Sequence, residues 1–306
     1  MTTTSAIILT PNTITSAALA TGTTIPEVDT ANGEVAYVPA TAYTVGQQVN
    51  HADSIWECVL ASTGVTPGTD PKKWLRVGPT NRMAPFDDRI NSVAKASGEL
   101  KYIINTDFFT GLALYKIKGE HINLKLYEGA TLVEELDEDL FEQALGLYEY
   151  LYMPLRAKTK IQMQDLPLIP NAQLHITITS SGQAEVGMIV LGFWQTLVGS
   201  GTFGGVEYGA SMEVKSYSYV KTNDDGSTEI VPRNSANNIN CTVAIDSEQA
   251  NYAMSILESI ESKPVAFIAC GLAKYDYLNT FGLVSGDIKA DTWSSAKINL
   301  NVKGYI

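Results

Sequence analysis

Alternation of apolar and polar residues in short segments constrains the fold of this chain most strongly. It is clearest in QLHITITSSG, residues 173–182, and in KINLNVKGYI, residues 297–306. A period of two places alternate side chains on one face of a β-strand. The segment AEVGMIVLGF, residues 184–193, is instead almost wholly apolar, which is typical of a strand buried on both faces. These patterns predict a mainly β protein.

Turn residues and shifts in composition divide the chain into predicted segments. The first 40 residues are rich in Thr, Ala and Ser, which favours an extended N-terminal arm. Short apolar pairs between Gly and Pro turns then indicate a small β unit of about three strands. The predicted segments are an arm at 1–40, the small unit at 41–79, a linker at 80–99, a jelly-roll-like β-sandwich at 100–195 and a C-terminal α+β domain at 200–306.

The C-terminal segment combines antiparallel strands with one helix. The stretch SMEVKSYSYVKTNDDGSTEIVPR, residues 211–233, predicts a hairpin whose loop lies around 223–226, where Asn, Asp and Gly tolerate positive φ. Asp246 and Gln249 occupy capping-box positions before an apolar stripe. We therefore expect a helix at 247–262 and a buried strand after it.

The charge and the cysteines exclude several classes of protein. A net charge of −12 argues against a phosphate-binding nucleic-acid protein. The three cysteines are far apart and without paired spacing, so we expect buried free thiols in a reducing cytoplasm. No basic leader and no apolar run long enough to cross a bilayer stands out, and we expect a soluble protein without membrane insertion.

No pattern for catalysis, metal or cofactor binding emerges. The histidines His51, His121 and His175 lack ligand spacing. The acidic run EELDEDLFE, residues 134–142, lacks the glycine of a calcium loop, and its leucines four residues apart favour a short amphipathic helix. The segment GSGTFGG, residues 199–205, lacks the Lys-Ser/Thr of a phosphate loop and predicts a turn. We expect no enzyme, no cofactor and no metal site.

The small unit has an aromatic pattern of its own. Its spacing is Y-x2-G-x2-V…W…G-x2-P…W, formed by Tyr43, Gly46, Val49, Trp56, Gly64, Pro67 and Trp74. This resembles the chitin-binding modules of carbohydrate-binding families 5 and 12. The resemblance implies that Tyr43, Trp56 and Trp74 stack on sugar rings. The same aromatic rings could instead form the core of so small a unit, and we favour that interpretation.

The segment RVGPTNRMAPFDD, residues 76–88, follows the unit directly. A module of this kind, a GPTNR…FD segment, a sandwich, a Gly-rich turn and a helix with strands, in that order, resembles a family of tailed-bacteriophage tail proteins. The resemblance implies a virion structural protein of the tail tip, baseplate, connector or collar, assembled in the host cytoplasm. Its expected partners are further copies of itself and other tail proteins, without nucleic acid. The alternative is a receptor-binding protein that recognises host glycans.

Overall fold

A computed structural model describes residues 6–87, 89–141, 146–152, 156–199, 203–222 and 224–305. The first strands are β1 (Ile7–Pro11), β2 (Ala42–Tyr43), β3 (Gln48–His51), β4 (Ser54–Cys58), β5 (Ser62–Thr63), β6 (Trp74–Pro79) and β7 (Ala94–Thr106). The next are β8 (Gly111–Tyr115), β9 (His121–Glu128), β10 (Thr131–Asp139), β11 (Lys160–Met163), β12 (Ala172–Val186), β13 (Met188–Thr196) and β14 (Gly204–Val206). The last are β15 (Ser211–Ser216), β16 (Tyr219–Thr222), β17 (Thr228–Val231), β18 (Ser235–Asp246), β19 (Pro264–Ile268), β20 (Asn279–Ala290) and β21 (Ser295–Gly304).

The helices are few and short. The α-helices are α1 (Leu147–Tyr152) and α2 (Ala250–Ser259). Short 3₁₀ segments occupy Ser16–Ala18, Thr30–Asn32, Ala84–Phe86, Ser247–Gln249 and Ala273–Leu278. The C-terminal helix therefore begins and ends within the segment 247–262 that the capping residues and apolar stripe predict. None of the helices in the described ranges is long and apolar enough to cross a bilayer.

The fold is mainly β and sandwich-like, as predicted. A large antiparallel sheet has the strand order β11-β8-β13-β1-β19-β20-β21-β18-β14, and β15 also pairs with β18. A four-stranded sheet, β10-β9-β12-β7, covers one end of it. Leu100, Ile122 and Ile176 of the smaller sheet share a buried core with Leu112 and Leu191 of the larger one. Around α2, Ile256 and Ile260 pack with Phe267 and Ile298 in a second core.

The N-terminal residues form a sheet strand where we predicted an arm. β1 pairs with β13 on one side and with β19 on the other. It thereby joins strands of the predicted sandwich and of the predicted α+β domain into one sheet, so that the hydrogen-bonded ladder crosses the expected boundary near residue 200. Ile7, Ile8 and Leu9 are buried, as suits an interior strand. The Thr/Ala-rich composition of the first 40 residues conceals this short apolar segment.

Two further predicted boundaries differ from the structure. The expected linker at 80–99 includes the start of β7, and Met83 and Ala84 within it are buried. The apolar segment 184–193 is not one strand, because it breaks at Gly187 between β12 and β13. A Cβ at Gly187 would lie 2.5 Å from the backbone oxygen of Ile90. Only glycine, which has no Cβ, fits at this position.

The described acidic residues 134–139 lie in a strand, and the helix prediction was wrong for them. Thr131–Asp139 form β10, the edge of the four-stranded sheet, and residues 142–145 lie outside the described residues. Leucines four residues apart also share one face of a β-strand, because four is a multiple of its period of two. The leucine spacing therefore could not discriminate between helix and strand. The thiols follow expectation, since Cys58, Cys241 and Cys270 are free and buried.

Candidate functional site

The small unit at 41–79 encloses two of the three candidate sugar-binding aromatics. It consists of the three-stranded sheet β3-β4-β6 and the pair β2–β5. Tyr43 and Trp74 lie in its core with Val49 and Cys58, and Trp74 is only 1% exposed. The rings of Tyr43 and Trp74 are 5.3 Å apart in an edge-to-face arrangement. Neither ring offers a free face on which a sugar could stack.

Trp56 is the third candidate, and it is half-buried. It packs against the core of the unit, and its indole Nε1 donates to the backbone oxygen of His51 across 3.1 Å. Gly68 lies directly over the ring, since a Cβ there would be 3.3 Å from two of its carbons. Of the three predicted residues, Trp56 alone keeps part of its ring accessible.

A cluster of two carboxylates and two amides joins this unit to the rest of the protein. It consists of Asp29, Glu34, Asn50 and Asn81, and we call it the carboxamide cluster. Asn81 donates from Nδ2 to Asp29 at 2.6 Å and from its backbone N to Glu34 at 2.6 Å. Asn50, on β3, donates to Glu34 at 2.5 Å. Asn81 also exchanges hydrogen bonds with the backbone of Lys95 at the start of β7. Amide donors thus satisfy both carboxylates, and neither carboxylate forms an ion pair within the described ranges.

The histidines lie apart from one another. His121 faces outward on β9, with Nδ1 2.9 Å from Asp139 and Nε2 2.8 Å from Asp137 on β10. Hydrogen bonds to Asp139 and then Asp137 raise the pKa of His121. His175 lies on β12, where burial and then the charges of Lys101 and Lys125 lower its pKa. In the described part of the chain, no group of three or more His, Cys, Asp or Glu side chains is placed to hold a metal ion.

An open cleft of about 690 Å³ lies at the junction of β8, β11, β18 and β20; we call it the basic cleft. Lys116, Lys160 and Arg233 line it, together with the aromatic residues Tyr115, Tyr277, Phe281 and Tyr305. Its lining residues within the described ranges include no Asp or Glu, although the whole chain carries 33 acidic against 21 basic residues. The cleft therefore places three basic side chains beside the partly exposed rings of Tyr277 and Tyr305 in an otherwise acidic protein.

The basic side chains of the cleft differ in their surroundings. Lys116 donates to Asn91 at 2.8 Å, and partial burial lowers its pKa despite the opposing effect of Glu185. Lys160 lies 3.0 Å from Asp276, which is outside the cleft lining. Arg233 is exposed and forms no ion pair with any described residue. Lys116 and Arg233 thus line the cleft without an ion-pair partner among the described residues, whereas Lys160 is paired with Asp276.

Arg233 lies at the base of a projecting hairpin, formed by β16 and β17. The hairpin predicted at 211–233 is confirmed only for its inner part: Tyr219 pairs with Val231 and Thr222 with Thr228, and Gly226 has φ +81° in the turn. Ser211–Ser216 instead form β15, which pairs with β18, and residue 223 of the predicted loop lies outside the described residues. All described residues of both strands are exposed, with Val220 at 57% and Ile230 at 61%. The two strands form a sheet of their own that pairs with no other described strand.

A second groove follows the outer face of β18, β20 and β21, with a volume of about 600 Å³. Its lining includes Asn240, Asn299, Asn301 and Asp287, and Tyr208 at its edge is fully exposed. The amides are linked: Asn301 donates to Asn240 at 2.7 Å, and Asn299 donates to Asp287 at 3.2 Å. The groove thus offers an aromatic ring beside a row of amide groups; we call it the amide groove.

Sequence reasoning missed both clefts, although parts of their signal are readable. Asn299 and Asn301 alternate with apolar residues on β21 and were expected to face outward, which they do. That they meet Asn240 and Asp287 depends on the registers of β18 and β20 with β21, which no local pattern specifies. The basic cleft assembles residues from 90 to 305 and has no local signal at all.

Comparisons of the chain with protein-family models, with curated proteins and with solved structures found no match.

Proposed function

We propose that this chain is a structural subunit of a bacteriophage tail, at the tip, baseplate, connector or collar. In this proposal it assembles as a homo-oligomeric ring or a multi-copy decoration, without catalysis, and contacts other tail proteins. The order of motifs from Tyr43 to the C-terminal strands motivates the phage assignment. The observation that carries the assembly role is the exposure of large apolar side chains on separate segments.

These exposed residues fall in several places. Leu147, Tyr148, Leu151 and Tyr152 are exposed on or beside α1, and Tyr219, Val220, Ile230 and Val231 are exposed on the hairpin. Trp293 is fully exposed in the turn between β20 and β21. Contiguous exposed apolar surface in a soluble protein marks contact sites, and aromatic residues are enriched at the centres of interfaces. More than one such surface suits a subunit that touches neighbours on different sides.

The size distribution of the purified full-length chain tests this proposal. Mass photometry with negative-stain microscopy is expected to give discrete oligomers, with closed rings or regular multi-copy particles among them. The same chain is expected in purified virions of the phage that encodes it, detected by mass spectrometry of the particles. A chain that stays monomeric at high concentration and is missing from those virions would overturn the proposal.

Glycan recognition is the second candidate, and the amide groove favours it. Carbohydrate sites commonly pair an aromatic face with polar groups that hydrogen-bond hydroxyls, which is the combination that Tyr208 and the linked asparagines offer. The small unit contributes only Trp56 as a partly accessible ring. A glycan array distinguishes the amide groove from the small unit as the binding site. Retention on it is measured for wild type, Tyr208→Ala and Trp56→Ala. Loss in Tyr208→Ala alone supports the groove, loss in Trp56→Ala at unchanged thermal stability supports the small unit, and no retention in wild type rejects both.

A further inference from the structure

We propose that the β16–β17 hairpin of one copy docks into the basic cleft of a second copy. The contact is head-to-tail, and it rests on the proposed function, for which it names the surface that joins neighbouring subunits. Three features of the described residues carry it. The hairpin pairs with no other described strand, the cleft complements it in charge, and the hairpin of a chain does not line the cleft of the same chain.

No strand in the described ranges pairs with the hairpin. Val220, Thr222, Thr228 and Ile230 project from one of its faces, which is therefore β-branched and uncharged, and all four are exposed. Tyr219 and Val231 meet on the opposite face. A two-stranded hairpin is marginally stable in water unless a hydrophobic face is covered. A covering surface from another molecule would stabilise this conformation.

The charges of hairpin and cleft are complementary. Asp224 and Asp225 lie at the tip, and Lys221 pairs across the strands with Glu229. Asp225 accepts hydrogen bonds from the backbone N and the hydroxyl of Ser227, which favour its charged form. The tip therefore presents carboxylates, whereas the cleft presents Lys116 and Arg233 without a lining carboxylate. Among its aromatic residues, Tyr277 is half exposed and Tyr305 is partly exposed, and these two rings offer a surface for the apolar body of the hairpin.

Each chain is unable to fill its own cleft in this conformation. Arg233 and Asn234, at the base of the hairpin, line the cleft, but none of the described residues from 217 to 231 does. The hairpin therefore begins at the rim, and its described residues lie outside the cleft lining and are exposed. Two different surfaces of the same chain, joined in this way, form a heterologous interface, which closes into a ring when the rotation between copies permits.

A charge-reversal pair tests the contact on the full chain. The first variant is Asp224→Lys/Asp225→Lys, which reverses the tip, and the second is Lys116→Glu/Arg233→Glu, which reverses the cleft. Each variant alone is expected to be monomeric by mass photometry, because its tip and cleft carry like charges. An equimolar mixture is expected to recover oligomers, because every contact then joins opposite charges. Circular dichroism melting checks that both variants fold like wild type.

A second pair of variants tests the apolar part. Val220→Asp/Ile230→Asp is expected to abolish assembly, and Thr222→Ser/Thr228→Ser, on the same face, is its matched control and is expected to retain it. Oligomers that persist in both charge variants, or a mixture that stays monomeric, would overturn this inference while leaving the proposed function standing. A wild-type chain that is itself monomeric would overturn both.

Discussion

Asn81 donates a hydrogen bond from Nδ2 to Oδ2 of Asp29 across 2.6 Å, although 52 residues separate them in the chain. Through the same side chain and its backbone N, Asn81 also binds Lys95 and Glu34. Asn81 thus links the N-terminal segment to the start of β7, and Asn50 of the small unit joins the same network through Glu34. The small unit is therefore fixed to the body by partly buried polar contacts.

Replacing Asn81 tests this junction. Asn81→Ala removes one amide donor to the carboxylate of Asp29 and both hydrogen bonds with the backbone of Lys95, and a loss of about 1–3 kcal/mol of unfolding free energy is expected. Asn105→Ala is the control, because Asn105 makes an exposed hydrogen bond with Gln173, and its effect is expected within about 0.5 kcal/mol. Urea unfolding measures both. Equal effects of the two variants would contradict a role for Asn81 at the junction.

The acid stability of the protein should change in the same variant. Burial raises the pKa of Asp29, but hydrogen bonds from Asn32 and Asn81 outweigh it and lower the pKa overall. A lowered pKa contributes stability that is present above the unfolded value of about 3.9 and lost as pH falls through the folded value. Asn81→Ala removes a donor and raises this pKa, so the acid-unfolding midpoint, followed by circular dichroism, is expected at higher pH than in wild type.

The pKa values of His121 and His175 should lie on opposite sides of the usual histidine value. His121 has a raised pKa, so its contribution to stability is complete below about pH 6.5 and disappears as pH rises through its folded value. His175 has a lowered pKa because of burial and the charges of Lys101 and Lys125. Proton NMR of the ring signals, assigned with His121→Gln and His175→Gln, is expected to give the higher pKa for His121. The reverse order would contradict the pairing of β9 with β10 at Asp137 and Asp139.

The two tryptophans of the small unit should contribute differently to its stability, because Trp74 is buried and Trp56 is half-buried. Trp74→Ala removes a fully enclosed ring, and a loss of about 3–5 kcal/mol is expected for the unit. Trp56→Ala removes a half-buried ring, and a smaller loss is expected. Hydrogen exchange across residues 41–79 reads the stability of this unit separately from the body. Equal exchange in the two variants would contradict the placement of Trp74 in the core.

Two glycines of neighbouring segments provide a matched backbone test. Gly187→Ala forces a Cβ against the backbone oxygen of Ile90, and strong destabilisation is expected in thermal unfolding. Gly182→Ala, within β12, meets nothing within 4 Å, and its effect is expected to be within about 1 kcal/mol. If Gly187→Ala changed the thermal stability only slightly, the close approach of residue 187 to the backbone of Ile90 between β12 and β13 would be contradicted.

Local patterns in the sequence predict much of the secondary structure but little of the assembly of the sheets. The alternations at 173–182 and 297–306 give β12 and β21, and the Asp-Gly turn gives the hairpin. β1 was hidden because its contacts, to β13 and β19, are almost 200 and more than 250 residues away. For Tyr43 and Trp74 the sequence favours core packing over sugar binding without excluding either, and their burial places both rings in the core. The basic cleft depends on the same long-range pairing.

Imaging of the native assembly tests whether the β16–β17 hairpin joins neighbouring copies. Cryo-electron microscopy of the purified full-length chain is expected to resolve a closed homo-oligomer in which density for residues 219–231 enters the basic cleft of the adjacent copy. A homo-oligomer in which the hairpins point to solvent would contradict the docking. Particles of a single copy at high concentration would contradict the account of this chain as an assembling structural subunit.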